Sequence, residues 1–64
     1  MKMIMKTEFE NLQHNEDYSY EVDSNSDKQI VKIYCNEQLI AKKIKLKKSI
    51  RYFAVKEYQQ YLSS

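Results

Sequence analysis

Residues 42–53, KKIKLKKSIRYF, carry six positive charges and no negative one: Lys42, Lys43, Lys45, Lys47, Lys48 and Arg51. Cations at this density are suited to phosphate, and nucleic-acid binding of that kind falls steeply with salt because each contact releases counterions. Tyr34 and Tyr52 offer ring faces on which bases could stack. The same lysines have a plainer use, since strands carry lysine to deter edge-to-edge association. A second charged group lies upstream, where Glu16, Asp17, Glu21, Asp23 and Asp27 are close together in sequence. Held on a rigid hairpin, such carboxylates can imitate a run of phosphates and fit a basic groove on another protein.

Catalytic chemistry finds little support. His14 is the only histidine and stands in a polar stretch, so neither a metal site nor a nucleophile relay can be assembled from it and Cys35. Paired-carboxylate catalysis needs a pocket that shifts a pKa, and the acids here have none beside them in sequence. No glycine is present, which argues against phosphate-cradling loops of the P-loop or Rossmann kind, because those need positive φ and close backbone approach. The expectation is a non-enzyme with no cofactor and no metal.

Sixty-four residues make one small domain, residues 1–64, of a size that buries only about 60% of the surface its unfolded chain exposes. One cysteine forms no intramolecular disulfide, which suits a reducing cytoplasm, and Cys35 reads as a small core residue. The longest apolar runs are far short of the ~20 residues of a membrane span. The opening MKMIMK is too short in apolar stretch for a secretory signal.

With no proline either, turns must rest on Asn, Asp and Ser, and such residues cluster at 15–17, 24–27 and 36–37. Between the first two clusters Tyr18, Tyr20 and Val22 alternate with Ser19, Glu21 and Asp23, the period of a half-buried strand. After the second, Val31, Ile33 and Cys35 alternate with Ile30, Lys32 and Tyr34. Pairing Asp23 with Lys28, Tyr20 with Val31 and Tyr18 with Ile33 satisfies both faces of a hairpin. A tight turn at Asn36 and Glu37 brings Ile40 opposite Ile33, and the third strand runs to about Leu46. Lys42 then shares a face with Ile40, Ile44 and Leu46 unless a bulge at Lys42 and Lys43 resets the phase.

From Ser49, read as an N-cap, Ile50, Phe53, Ala54, Tyr58, Tyr61 and Leu62 fall at helical spacing. Glu57 intrudes on that stripe, either pairing with Lys42 at the edge of the core or bending out to solvent. Residues 1–12 are open between a fourth strand and a short helix, with TEFE as a capping box and Met5, Phe9 and Leu12 on one side. The expected fold is therefore α+β: a three-stranded antiparallel meander packed by a C-terminal helix, with a short N-terminal helix or a fourth strand. The N-terminal piece would cover Ile30, Tyr34 and Leu39 on the far face of the sheet. Left bare, that patch is where a partner or a second copy sits.

Charge is segregated along the chain. Residues 1–27 hold two lysines against seven acids, and residues 28–64 hold nine basic residues against two acids. Such asymmetry steers encounter with a charged partner. The order helix, three strands, helix, with NEDYSYEV leading into the first strand and DSNSDKQIVKI turning into the second, resembles the compact anti-CRISPR proteins that phages direct against Cas9. The resemblance spans about residues 8–62. It implies a small, non-catalytic, cytoplasmic protein of mobile-element type, working in a bacterial host cell by occupying another protein.

Two functions are carried forward from the sequence. In one, the chain binds and modulates a host protein through the acidic residues Glu16, Asp17, Glu21, Asp23 and Asp27 and the patch Ile30, Tyr34 and Leu39. In the other, the stripe from Lys42 to Arg51 binds nucleic acid. A homodimer is compatible with both, and no membrane is involved in either.

Overall fold

A computed structural model describes residues 1–62, so the last two residues of the expected domain lie outside the described residues. The chain forms β1 (Lys2–Met3), α1 (Lys6–Gln13), β2 (Ser19–Ser24), β3 (Lys28–Cys35), β4 (Gln38–Leu46) and β5 (Ile50–Ala54), then a 3-10 turn at Tyr58–Tyr61. All five strands join in one antiparallel sheet, in the order β1-β5-β4-β3-β2. The three-stranded meander is thus extended on one side by β5 and β1.

The segment expected as a C-terminal helix is strand β5 followed by the 3-10 turn. Ser49 caps no helix. Its carbonyl accepts the Leu46 N–H at 2.8 Å and closes the β4–β5 turn. The physical reason is visible in the residues: Ile50, Tyr52 and Ala54 alternate with Arg51 and Phe53, and with three β-favouring residues, Ile50, Tyr52 and Phe53, the segment serves as a strand that satisfies the second side of β4. A helix at this point would have left nine-residue β4 as an unpaired edge. The helical spacing of Ile50, Phe53, Ala54 and Tyr58 arose from a short strand and a separate turn, each contributing residues to one apparent stripe.

The N-terminal piece is part strand and part helix. Lys2 and Met3 pair with Ala54 and Phe53, and the helix begins at Lys6. Its cap is Met5, not Thr7: the Glu8 carboxylate accepts the Met5 N–H at 3.0 Å, four residues before Leu12 turns inward. Phe9 and Leu12, three apart and on one helical face, are fully buried, whereas Met5 is exposed. Beyond the helix, Asn15 Oδ1 accepts the Asp17 N–H at 2.8 Å, the turn that hands the chain to β2.

The β2–β3 hairpin turns on Asn25, whose side-chain oxygen accepts the N–H groups of Asp27 and Lys28. The pairing lies two residues from the expected register: Tyr20 faces Ile33 and Val22 faces Val31. A slip of two keeps each side chain on its face, so hydrophobic patterning alone does not distinguish the registers; the turn chemistry of Asn25 does. At the β3–β4 turn Asn36 and Glu37 both adopt positive φ, 52° and 67°. Tyr34 pairs with Leu39 and Ile33 with Ala41, so the bulge falls at Ile40 and not at Lys42 and Lys43. Ile40 and Ala41 are both fully buried as a result.

The core lies on one face of the sheet. Val31, Ile33, Ala41 and Ala54 from the strands meet Phe9 and Leu12 of α1 and Tyr58 of the 3-10 turn. The Phe9 and Tyr52 rings lie 5.4 Å apart, and Tyr58 donates its hydroxyl to Glu8 Oε2 at 2.7 Å, tying the turn to the helix. Tyr18 donates to the Tyr61 carbonyl at 2.8 Å and fastens the approach to β2. Helix α1 packs over β4 and β5. The expectation that the N-terminal piece covers Ile30, Tyr34 and Leu39 is corrected: those residues belong to the opposite face, because the buried positions α1 selects are Val31 and Ile33.

Candidate interaction surface

Strand alternation assigns each charged residue to a face. Opposite the covered side, cross-strand pairs form a row running Met3, Phe53, Lys42, Lys32 and Glu21 across all five strands. A second row runs Arg51, Ile44, Ile30 and Asp23. Tyr34 and Leu39 pair beside the turn at Asn36, and Lys28 pairs with Leu46 at the other end. Among the described residues no helix or turn packs on this side.

The expected acidic and apolar residues therefore share a surface. Glu21 and Asp23 stand at its β2 margin, Asp23 directly opposite Ile30 and Glu21 opposite Lys32. Ile30, Tyr34 and Leu39 are half-buried by their strand neighbours. They form two apolar pairs, Ile30 with Ile44 and Tyr34 with Leu39, separated by Lys32 and Lys42. Glu16 and Asp17 lie in the loop before β2 and Asp27 in the turn after it, all exposed.

The basic stripe is divided. Lys42 and Arg51 lie on the open face, Lys43 and Lys45 on the face that α1 partly covers, and Lys47 and Lys48 in the β4–β5 turn. It is not one continuous grip. Two basic residues outside the stripe, Lys28 and Lys32, join Lys42 and Arg51 on the open face.

Directly opposed like charges destabilise a sheet, so the Lys32–Lys42 pair requires compensation. Glu21 stands on the other side of Lys32, and the Lys42 ammonium lies 5.9 Å from the centroid of the Phe53 ring. Lys42 is thereby engaged with Phe53, and Glu57 is exposed at the start of the 3-10 turn, the solvent-facing alternative to a pairing with Lys42.

Phe53, Ile44 and Lys32 belong to this surface and were not singled out from the sequence. Phe53 was hidden by the helical reading of its segment, although the alternation of Ile50, Tyr52 and Ala54 against Arg51 and Phe53 carried the signal. Ile44 was hidden by the unbroken alternation of β4, which puts it on the same face as Ile40. His14 is exposed at the end of α1, and Cys35 is half-buried against the core without a disulfide.

No group of three or more histidine, cysteine or acidic side chains is arranged to hold a metal ion among the described residues. A shallow depression of about 320 Å³ between residues 24–29 and 45–47 is open to solvent and mixed in charge. No helix among the described residues is long and apolar enough to cross a membrane. Compared with protein-family models, with curated proteins and with solved structures, the chain matches none.

Proposed function

We propose that this protein is a small non-catalytic binding module that modulates a host protein by occupying it with the open face of its sheet. The observation that carries the reading is the juxtaposition of Ile30, Ile44, Tyr34 and Leu39 with Glu21 and Asp23 on a face that no described element packs against. Apolar pairs that lose solvent on contact, set beside charged residues that select the partner, are the parts of a protein interface. A partner of the nucleic-acid-processing or defence kind is what the likeness to anti-CRISPR proteins implies. That likeness now rests on the motifs NEDYSYEV and DSNSDKQIVKI, since the helix, three strands and helix that accompanied them are replaced by a five-stranded sheet.

One observation favours a second reading. Lys28, Lys32, Lys42 and Arg51 share the open face with Tyr34 and Phe53, a combination that suits single-stranded nucleic acid. Capture from nuclease-treated bacterial lysate, with the wild-type chain and an Ile30→Ser/Ile44→Ser variant as parallel baits, separates the two. A protein retained by the wild type and lost by the folded variant supports the interface. Retention that requires intact nucleic acid and collapses with added salt transfers the function to the basic residues.

A further inference from the structure

Among the described residues, strand β2 is the long free edge of the sheet. It pairs on one side with β3, and its six residues are all exposed. The opposite edge is the two-residue β1. The Asn25 N–H donates to the Lys28 carbonyl at 2.9 Å, and antiparallel alternation from that bond directs the N–H and C=O groups of Tyr20, Val22 and Ser24 away from β3. A row of outward backbone groups is a template for another strand.

The side chains narrow what can pair there. On the α1 side of the sheet, Tyr20 and Val22 are 56% and 50% exposed, beyond the reach of the helix. On the open face stand Glu21 and Asp23. No lysine or arginine occurs from residue 7 through residue 27. A second copy of β2 would fit poorly, because antiparallel self-pairing that keeps the faces sets Glu21 against Glu21 or against Asp23, and like charges directly opposite are unfavourable. A strand bearing cations at alternate positions would match the acids on one face and leave its remaining residues to cover Tyr20 and Val22.

We infer that β2 takes up an extended segment of the partner protein as a sixth strand, with lysine or arginine at alternate positions and apolar residues between them. This rests on the reading of the chain as a protein-binding module and adds the chemistry of the partner. The outward amides of Tyr20, Val22 and Ser24 supply the backbone bonds, and Glu21 and Asp23 select the charge.

The test is amide hydrogen exchange followed by NMR, with a short capped peptide alternating lysine and valine as probe. At a peptide concentration about ten times its Kd, exchange at Tyr20, Val22 and Ser24 slows about tenfold. A Val22→Pro variant, whose lost N–H belongs to the outward side of an edge strand, keeps its fold and loses the effect. A Glu21→Lys/Asp23→Lys variant prefers a peptide alternating glutamate and valine. Equal protection by either peptide in the wild type, or no protection at β2, overturns the inference. A lysate partner kept by Val22→Pro but lost by Ile30→Ser/Ile44→Ser rejects strand addition and leaves the open-face interface standing.

Discussion

Val22 and Val31 are the same residue type, directly paired, on the same side of the sheet, yet one is 50% exposed and the other 3%. The difference is the coverage of β3 by the core and the bareness of β2, on which the proposed strand addition depends. Val31→Ala removes two buried methyl groups, about 1.6 kcal/mol at ~0.8 kcal/mol each. The unfilled space brings the loss to about 2–3 kcal/mol. Val22→Ala forfeits at most half the transfer and leaves no cavity, about 0.8 kcal/mol or less. Strand propensity penalises both changes in the same direction and largely cancels in the comparison. A chain of this size is stable by roughly 3–10 kcal/mol, so the gap is readable. Urea unfolding at two protein concentrations measures it, with Val31→Ala losing about 1–2 kcal/mol more than Val22→Ala at an unchanged slope. Equal losses would refute the account of a bare β2. A Val22→Ala cost that grows with protein concentration would show that a second copy covers the strand.

The β3–β4 turn and the Glu8 cluster supply further expectations. Glu37 holds φ at 67° next to Asn36 at 52°, a conformation that asparagine tolerates and glutamate does not favour, so Glu37→Gly raises stability by about 1 kcal/mol and Tm by about 4–8 °C in thermal unfolding. The Glu8 carboxyl is held below its ordinary 4.5 by the Met5 N–H and then by the Tyr58 hydroxyl. Its contribution is present above pH 4.5 and is lost as pH falls through the lower folded value. The Tyr58 hydroxyl is raised above 10.0 by its bond to Glu8, and burial raises that of Tyr18, so their contribution is present below pH 10.0 and is lost as pH rises through the folded values. Urea midpoints across the range show a plateau with losses at both ends, and Tyr58→Phe weakens both losses; an unaltered profile would contradict the Glu8–Tyr58 coupling.

The meander was legible because its turns are written in side-chain chemistry. Asn25 and the pair Asn36 and Glu37 stand where the hairpins close, and the alternation of β2 and β3 identifies the residues of each face. The C-terminal segment was not legible in the same way. Five residues of strand and four of 3-10 turn are short enough that Ile50, Phe53, Ala54 and Tyr58 satisfy a helical period by coincidence. What decides for the strand is non-local, namely the unpaired side of β4 and the arrival of Lys2 and Met3 on the far side of β5. The helix at Lys6–Gln13 was foreseen as one of two readings, but which face it covers depends on Phe9 and Leu12 finding Val31 and Ile33, a packing choice that periodicity does not encode.

The bulge at Ile40 explains how one residue apportions the charges of the candidate surface. Up to Leu39 the β4 pairing follows the turn, and the additional residue turns Ile40 and Ala41 together toward α1. Every later residue of β4 thereby changes face relative to an unbroken strand. Lys42 and Ile44 come to the open side, where Phe53 lies beside the first and Ile30 faces the second, while Lys43 and Lys45 go to the α1 side. In an unbroken strand the exchange would have put Lys43 and Lys45 opposite Ile30 and Lys28 and buried the ends of Lys42 and Ile44 near the core. The bulge thus adds Ala41 to the core beside Ile40 and supplies Ile44 to the apolar pair it forms with Ile30 on the open face. Core packing and binding surface follow from the same local departure from period two, which is why a strictly alternating reading of β4 misplaced both.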